Sequence, residues 1–215
     1  MSRAATRART VCALLARALL WGALTLGGAP LPGTAPAACA AAEPGGTQAL
    51  DELLQMLAQR RHGHVTFTEV QELAILDRPL QSSGELLYDA PDRLEKRTLQ
   101  PKPEDLLLEH GVLTVQRGHH RRVLSLHDYP QLAPLVESLR ATLAGERAAL
   151  ERYFTVRFSG SLADWTLELL PKDARVARTV QNVRIRGERD AIRTVEIRQS
   201  DGDASRLTLG PEVSP

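Results

Sequence analysis

Beyond Phe154 the chain alternates apolar and polar residues with a period of two through most of its remaining length, and few folds accept that pattern. Phe154, Val156 and Phe158 oppose Thr155, Arg157 and Ser159; Trp165, Leu167 and Leu169 oppose Thr166 and Glu168, ending at Pro171. Val183 and Ile185 oppose Arg184 and Arg186, and Val195 and Ile197 oppose Glu196 and Arg198. Leu207 and Leu209 close the series after the turn sequence Asp201-Gly202-Asp203. Successive side chains of a strand point to opposite faces. Segments of this kind, joined by short turns, build an antiparallel sheet that is covered on one face only.

The first half repeats the theme less cleanly. Val65-Thr66-Phe67-Thr68 alternates, and a slip of phase before Val70 predicts a bulge. Gly84 to Asp89 places Leu86 and Tyr88 on one face, and Arg93 to Leu99 follows Pro91. Leu106 to Glu109 and Val112 to Gln116 flank His110-Gly111, a two-residue hairpin turn, and Arg122 to Leu126 adds a strand. Helical spacing appears in two places. Leu50, Leu53, Leu54 and Leu57 mark an amphipathic helix over Gln48 to Arg61, with Gly63 as its stop. In the middle, Leu132, Leu135, Val136, Leu139 and Leu143 form one stripe, Gly145 breaks it, and Glu146 to Tyr153 is a second short helix. About ten or eleven strands do not stay flat. The expected fold is α+β: a strongly curved antiparallel half-barrel, unclosed, with three lid helices over its concave apolar face.

The N-terminal forty residues read as an address. Arg3, Arg7 and Arg9 precede an apolar stretch from Val11 to Ala29, and Ala38 and Ala40 supply the small residues of a signal-peptidase site. The uninterrupted apolar run, Ala18 to Ala29, is 12 residues, too short to span hydrocarbon. Residues 1–40 are therefore expected to be a cleaved export signal and 41–215 a single periplasmic domain. The alternative is a lipid anchor on Cys39, although Pro36 stands where a lipobox carries Leu. Residues 1–40 hold four of the 27 basic side chains and none of the 26 acidic ones, so the remainder carries a net charge of −3. That balance argues against nucleic acid, whose binding depends on neutralised phosphates.

Catalytic patterns are missing. Cys12 and Cys39 both fall in the leader, and no Ser sits in a Gly-x-Ser-x-Gly turn. His119 and His120 lie within Arg117-Gly118-His119-His120-Arg121-Arg122, where neighbouring cations repel a metal ion. Asp201-Gly202-Asp203 lacks the further oxygen ligands and closing Glu of a calcium loop and fits a hairpin turn. No cofactor or metal is expected, and a lipid-processing enzyme is the weakest reading.

One resemblance extends over nearly all of the expected mature chain. Ser83-Gly84-Glu85-Leu86-Leu87-Tyr88-Asp89-Ala90-Pro91-Asp92-Arg93-Leu94 resembles the Gly–strand–Pro–Asn/Asp segment of the LolA-like outer-membrane lipoprotein carriers. Phe67-Thr68-Glu69, Pro101, the hairpin at Gly111, Leu143-Ala144-Gly145 and the Trp165-to-Pro171 strand follow in that family's order. The resemblance implies an apolar cavity between sheet and lid that accepts the acyl chains of a lipid or lipoprotein. It further implies a monomeric periplasmic carrier working between an inner-membrane exporter and an outer-membrane acceptor, with an envelope sensor of the same fold as the alternative. The family's carriers place a lid-holding Arg directly before that Pro; Ala90 stands here, so no such role is carried over. The expected acyl-cavity wall is Phe67, Leu86, Tyr88, Leu124, Leu126, Phe158, Trp165, Leu167, Val183 and Ile185. Tyr88 and Trp165 have polar tips that need partners when buried.

Overall fold

The computed structural model describes residues 44–128 and 133–213. The export-signal reading, Cys39 included, and Leu132 of the expected helical stripe lie outside them. Helix α1 (Pro44–Ala58) precedes six strands: β1 (His62–Glu72), β2 (Leu80–Asp89), β3 (Arg93–Gln100), β4 (Glu104–Glu109), β5 (Val112–Arg117) and β6 (His120–Ser125). A 3-10 turn (Leu126–Asp128) leads towards α2 (Ala133–Ala144) and α3 (Arg147–Tyr153). The second series is β7 (Phe154–Ser161), β8 (Asp164–Pro171), β9 (Val180–Glu188), β10 (Ala191–Gln199) and β11 (Ala204–Glu212), with a one-turn helix α4 (Ala174–Ala177) after β8.

All eleven strands form one antiparallel sheet in the order β6-β5-β4-β3-β2-β1-β11-β10-β9-β8-β7. First and last strands meet in the middle, while β6 and β7 are its two free edges. The sheet is thus an unclosed curve, as the alternation predicts. Local chemistry fixes the turns. His110 and Gly111 both take positive φ, 50° and 71°, the geometry a two-residue hairpin demands. Helix α4 begins at Asp173, whose carboxylate accepts the Arg175 N–H at 2.7 Å.

The bulge falls in a different place from the one expected. Register between β1 and β11 slips between Val65 and Phe67, with Val65 opposite Glu212 and Phe67 opposite Leu209. The extra residue is thus on β11 at Gly210-Pro211, where Pro211 has no N–H for a ladder. Val70 is an apolar residue on the convex face, opposite Gln81 of β2, which is why it mimicked a slip.

The two halves of the concave face are covered differently. Over β7 to β9, helices α1, α3 and α4 close a filled core containing Leu53, Leu54, Leu150, Phe154, Trp165, Leu167, Leu169 and Val176. Trp165 is fully buried, and its indole N–H donates to the Arg189 carbonyl at 2.8 Å. Gly187 of β9 lies against that ring: a Cβ there would sit 2.2 Å from its Cζ2. Gly145, at φ 69°, turns α2 into α3 so closely that a Cβ would meet the Leu54 carbonyl oxygen of α1 at 2.4 Å. The packing within the sheet and the packing among the lid helices thus each depend on one position without a side chain.

Candidate functional site

Over β1 to β5 and β9 to β11, the same alternation faces a hollow. Val65 of β1, Leu86 and Tyr88 of β2, Leu94 of β3, Leu106 and Leu108 of β4 and Leu113 of β5 form one side of a cavity of about 570 Å³. Val183 and Ile185 of β9, Val195 and Ile197 of β10 and Leu207 and Leu209 of β11 continue the wall. Val136, Leu139 and Leu143 of α2, with Leu57 of α1, close it from above. These side chains meet because cross-strand register stacks them in rows. Tyr88 pairs with Leu94, Leu94 with Leu108 and Leu108 with Leu113. The size falls within the range of about 300–1,000 Å³ typical of small-molecule sites, and the lining is chiefly apolar.

Several polar side chains interrupt this lining, most of them in two ion-paired clusters. The first is buried. Lys96 of β3 donates to the Glu69 carboxylate at 2.5 Å, Ser82 donates to the same oxygen at 3.2 Å, and the Lys96 ammonium lies 5.0 Å from the Phe67 ring centroid. Glu69 is 5% exposed, so each charge is tolerated through the other. The second is at the rim. Arg60, just past α1, donates to Asp190 in the β9–β10 turn at 2.8 Å and stands 3.6 Å from Glu212 of β11. The Arg60 hydrogen bond holds the Asp190 carboxyl below its ordinary range. All three residues border the cavity.

The lid is stapled to itself by ion pairs. Arg140 of α2 contacts Glu137 at 2.7 Å and Glu146, at the start of α3, at 2.6 Å. This guanidinium keeps the Glu146 carboxyl below its usual value. Arg147 of α3 reaches Asp51 of α1 at 2.9 Å and Glu151 at 2.8 Å. Across the lid–sheet boundary at the cavity, the facing groups are instead mostly hydrocarbon.

Of the ten expected wall residues, Leu86, Tyr88, Val183 and Ile185 border the cavity. The other six are placed elsewhere. Trp165 and Leu167 are fully buried in the filled core, and Phe158 packs against it. Phe67 is 2% exposed beneath Lys96, Leu124 packs on Leu106, Leu113 and Val115, and Leu126 is buried in the 3-10 turn. The separation arises because rows of one apolar face run continuously from cavity to core: Leu207 pairs with Val195, Val195 with Ile185, and Ile185 with Leu167. The wall contributed by Leu94, Leu106, Leu108 and Leu113 was not anticipated. Its signal was available in the Leu-x-Leu spacing of Leu106 and Leu108, but Lys96 at an inward position masked the phase of β3.

Among the described residues, no group of three or more His, Cys, Asp or Glu is placed to hold a metal ion, and no helix is long and apolar enough to cross a membrane. The family described as outer membrane lipoprotein carrier protein LolA-like matches residues 41–213. The chain belongs to the LolA-like family. No curated protein matches it by sequence. Among solved structures it is similar to the LolA superfamily protein NE2245 from Nitrosomonas europaea, at 12% identity and TM-score 0.41, covering 78% of this chain and 94% of that one. It is also similar to the MucA/MucB complex structure of Pseudomonas aeruginosa, at 14% identity and TM-score 0.41, covering 77% of this chain and 58% of that one. The lipoprotein LppX of Mycobacterium tuberculosis gives 8% identity and TM-score 0.42 over 78% and 97%. In this LolA-like chain a filled half and a hollow half share one sheet.

Proposed function

We propose that this LolA-like protein is a periplasmic carrier that holds the acyl chains of a lipid or lipoprotein in the cavity beneath α2 and moves them between the two membranes of the envelope. The observation that carries this reading is the apolar hollow of about 570 Å³ in a fold whose other half is filled. An open cavity of that size leaves its apolar lining against water, and an apolar occupant that covers it is favoured by about 25 cal/mol per Å² buried. The walls are chiefly hydrocarbon, so an acyl chain is the occupant they suit. Charged groups at Arg60, Asp190 and Glu212 sit at the rim, where a polar head stays in water. The signal-like leader supports export, with residues 41–215 as the working domain and Leu86, Tyr88, Val183 and Ile185 as acyl contacts.

Native mass spectrometry of protein purified from the periplasm tests this, with lipid extraction of the same sample and sequencing of its N-terminus. The expected result is a mature start near Ala41 and a bound acylated molecule released by organic solvent. Full-length protein retained in the cytosol, without bound lipid and unable to take up acyl probes, refutes it.

A further inference from the structure

Tyr88 is 8% exposed, and its hydroxyl is buried with no hydrogen-bond partner among the described residues. The contrast with Trp165, whose N–H is satisfied by Arg189, is informative, because buried polar side-chain atoms are nearly always paired. An orphaned hydroxyl destabilises the protein that carries it. It is also placed at a boundary. Tyr88, Leu94, Leu108, Val136, Leu139 and Leu143 line the main cavity and also a small adjoining one of about 10 Å³, which Asp92 and Arg140 complete. The phenol thus lies where sheet, lid and cavity meet.

We propose that the missing partner of the Tyr88 hydroxyl is the carbonyl oxygen of an acyl ester in the cargo. This rests on the carrier reading above and specifies the chemistry of what is carried. Burial raises the phenol above its ordinary pKa, more than nearby Arg140 and Arg61 lower it, so the group keeps its proton and donates. The acceptor is uncharged. Among the described residues, each cation that borders either cavity already faces a carboxylate: Arg140 pairs with Glu137 and Glu146, Lys96 with Glu69, Arg60 with Asp190 and Arg193 with Glu188. Burying an anion among leucines costs far more than burying an ester. The same leucines of α2 that border the cavity border the pocket at Tyr88, so a chain lying under α2 brings its ester end to the phenol.

The test uses the mature protein and the environment-sensitive dye N-phenyl-1-naphthylamine, displaced either by methyl tetradecanoate or by 1-methoxytetradecane, an ether of similar length without the carbonyl. For the parent, the ester is expected to compete about three- to tenfold better than the ether, the contribution of one ordinary hydrogen bond. Tyr88→Phe is expected to bring the ratio to one, with a Tm equal to or above the parent's. An unchanged ratio in Tyr88→Phe, or no ester preference in a parent that binds the dye, overturns this inference alone. A parent that binds neither dye nor acyl compound overturns the carrier reading and this inference with it. A fall in Tm with Tyr88→Phe shows that the hydroxyl has a partner within the protein, and also overturns it. Dipalmitoylglycerol and a peptide bearing an S-diacylglyceryl cysteine, run as further competitors, separate lipid from lipoprotein as the source; the preferred one is expected to lose its advantage in Tyr88→Phe.

Discussion

Two leucines on the same apolar face separate the filled half of this protein from the hollow half. Leu167 is fully buried, paired with Phe158 on β7 and Ile185 on β9. Leu86 borders the cavity, paired with Val65 on β1 and Lys96 on β3. Leu167→Glu removes a core side chain, a loss of about 2–5 kcal/mol, and adds the several kcal/mol of a carboxyl group without a partner. The sum reaches most of the roughly 5–15 kcal/mol that holds a domain together, so this variant is expected to be unfolded at room temperature. Leu86→Glu places its carboxylate in a space that admits water and opposite an ammonium group, so it is expected to fold. Its acyl affinity falls instead. Losing two to three methylene contacts with the cargo removes about 2 kcal/mol, or roughly thirtyfold in Kd. Thermal unfolding by circular dichroism and titration with a fluorescent fatty-acyl probe measure the two quantities, with Thr208→Ala on the exposed convex face as control. Equal unfolding by both leucine variants means that the wall at Leu86 is a packed core, and the cavity argument is then wrong. Unchanged probe binding by a folded Leu86→Glu also refutes it.

Gly187→Ala drives a methyl group into Trp165 and the Ala191 carbonyl oxygen, 2.2 and 2.5 Å away, and is expected to lower Tm by about 3–10 °C with a change in Trp fluorescence. An unaltered Tm contradicts the close approach. Arg60→Gln is expected to change stability by less than about 1 kcal/mol, since its ion pairs are partly exposed, while speeding release of the acyl probe by opening the rim. Because Asp190 has a lowered native pKa, its contribution is present above the unfolded aspartate value and is lost as pH falls through the native one. Stopped-flow release in the parent is therefore expected to accelerate only below the ordinary aspartate range, and a release rate that does not respond to acid or to Arg60→Gln refutes the rim's role.

Alternation of side chains is a local property, and it carried most of the fold. The six-plus-five division of strands, the helices between the two series and the His110-Gly111 hairpin follow from period and turn chemistry over a few residues. Helix α4 escaped because four residues show no periodicity. The bulge was misplaced because Val70 is apolar on the convex side, and nothing in β1 alone reveals that the extra residue belongs to β11. The site was less legible for a physical reason. Val183 and Leu167 are both aliphatic, point the same way from their strands and belong to one core cluster, but Val183 also borders the cavity and Leu167 does not. Which helix covers which part of the sheet decides this, and that depends on contacts between segments roughly a hundred residues apart, such as Arg147 with Asp51.

On the carrier reading proposed above, the unequal cover has a consequence for how cargo enters. Helices α1 and α3 are held to the filled half by close packing around Leu53, Leu54, Leu150 and Phe154, so displacing them exposes a core that supports the whole sheet. Helix α2 gives the filled core only the small side chain of Ala141 and meets the cavity through Val136, Leu139 and Leu143, and its ion pairs through Arg140 run to its own Glu137 and to Glu146. Movement of α2 away from β2 to β4 therefore breaks hydrocarbon contacts bordering a cavity, leaves the Arg140–Glu137 pair intact and stretches the Arg140–Glu146 pair, which spans Gly145. Such a movement would turn about Gly145, whose positive φ joins α2 to α3 where the chain lies close against α1. An acyl chain entering beneath α2 replaces the contacts that the movement breaks, so loading restores apolar burial without disturbing the half of the protein that keeps it folded.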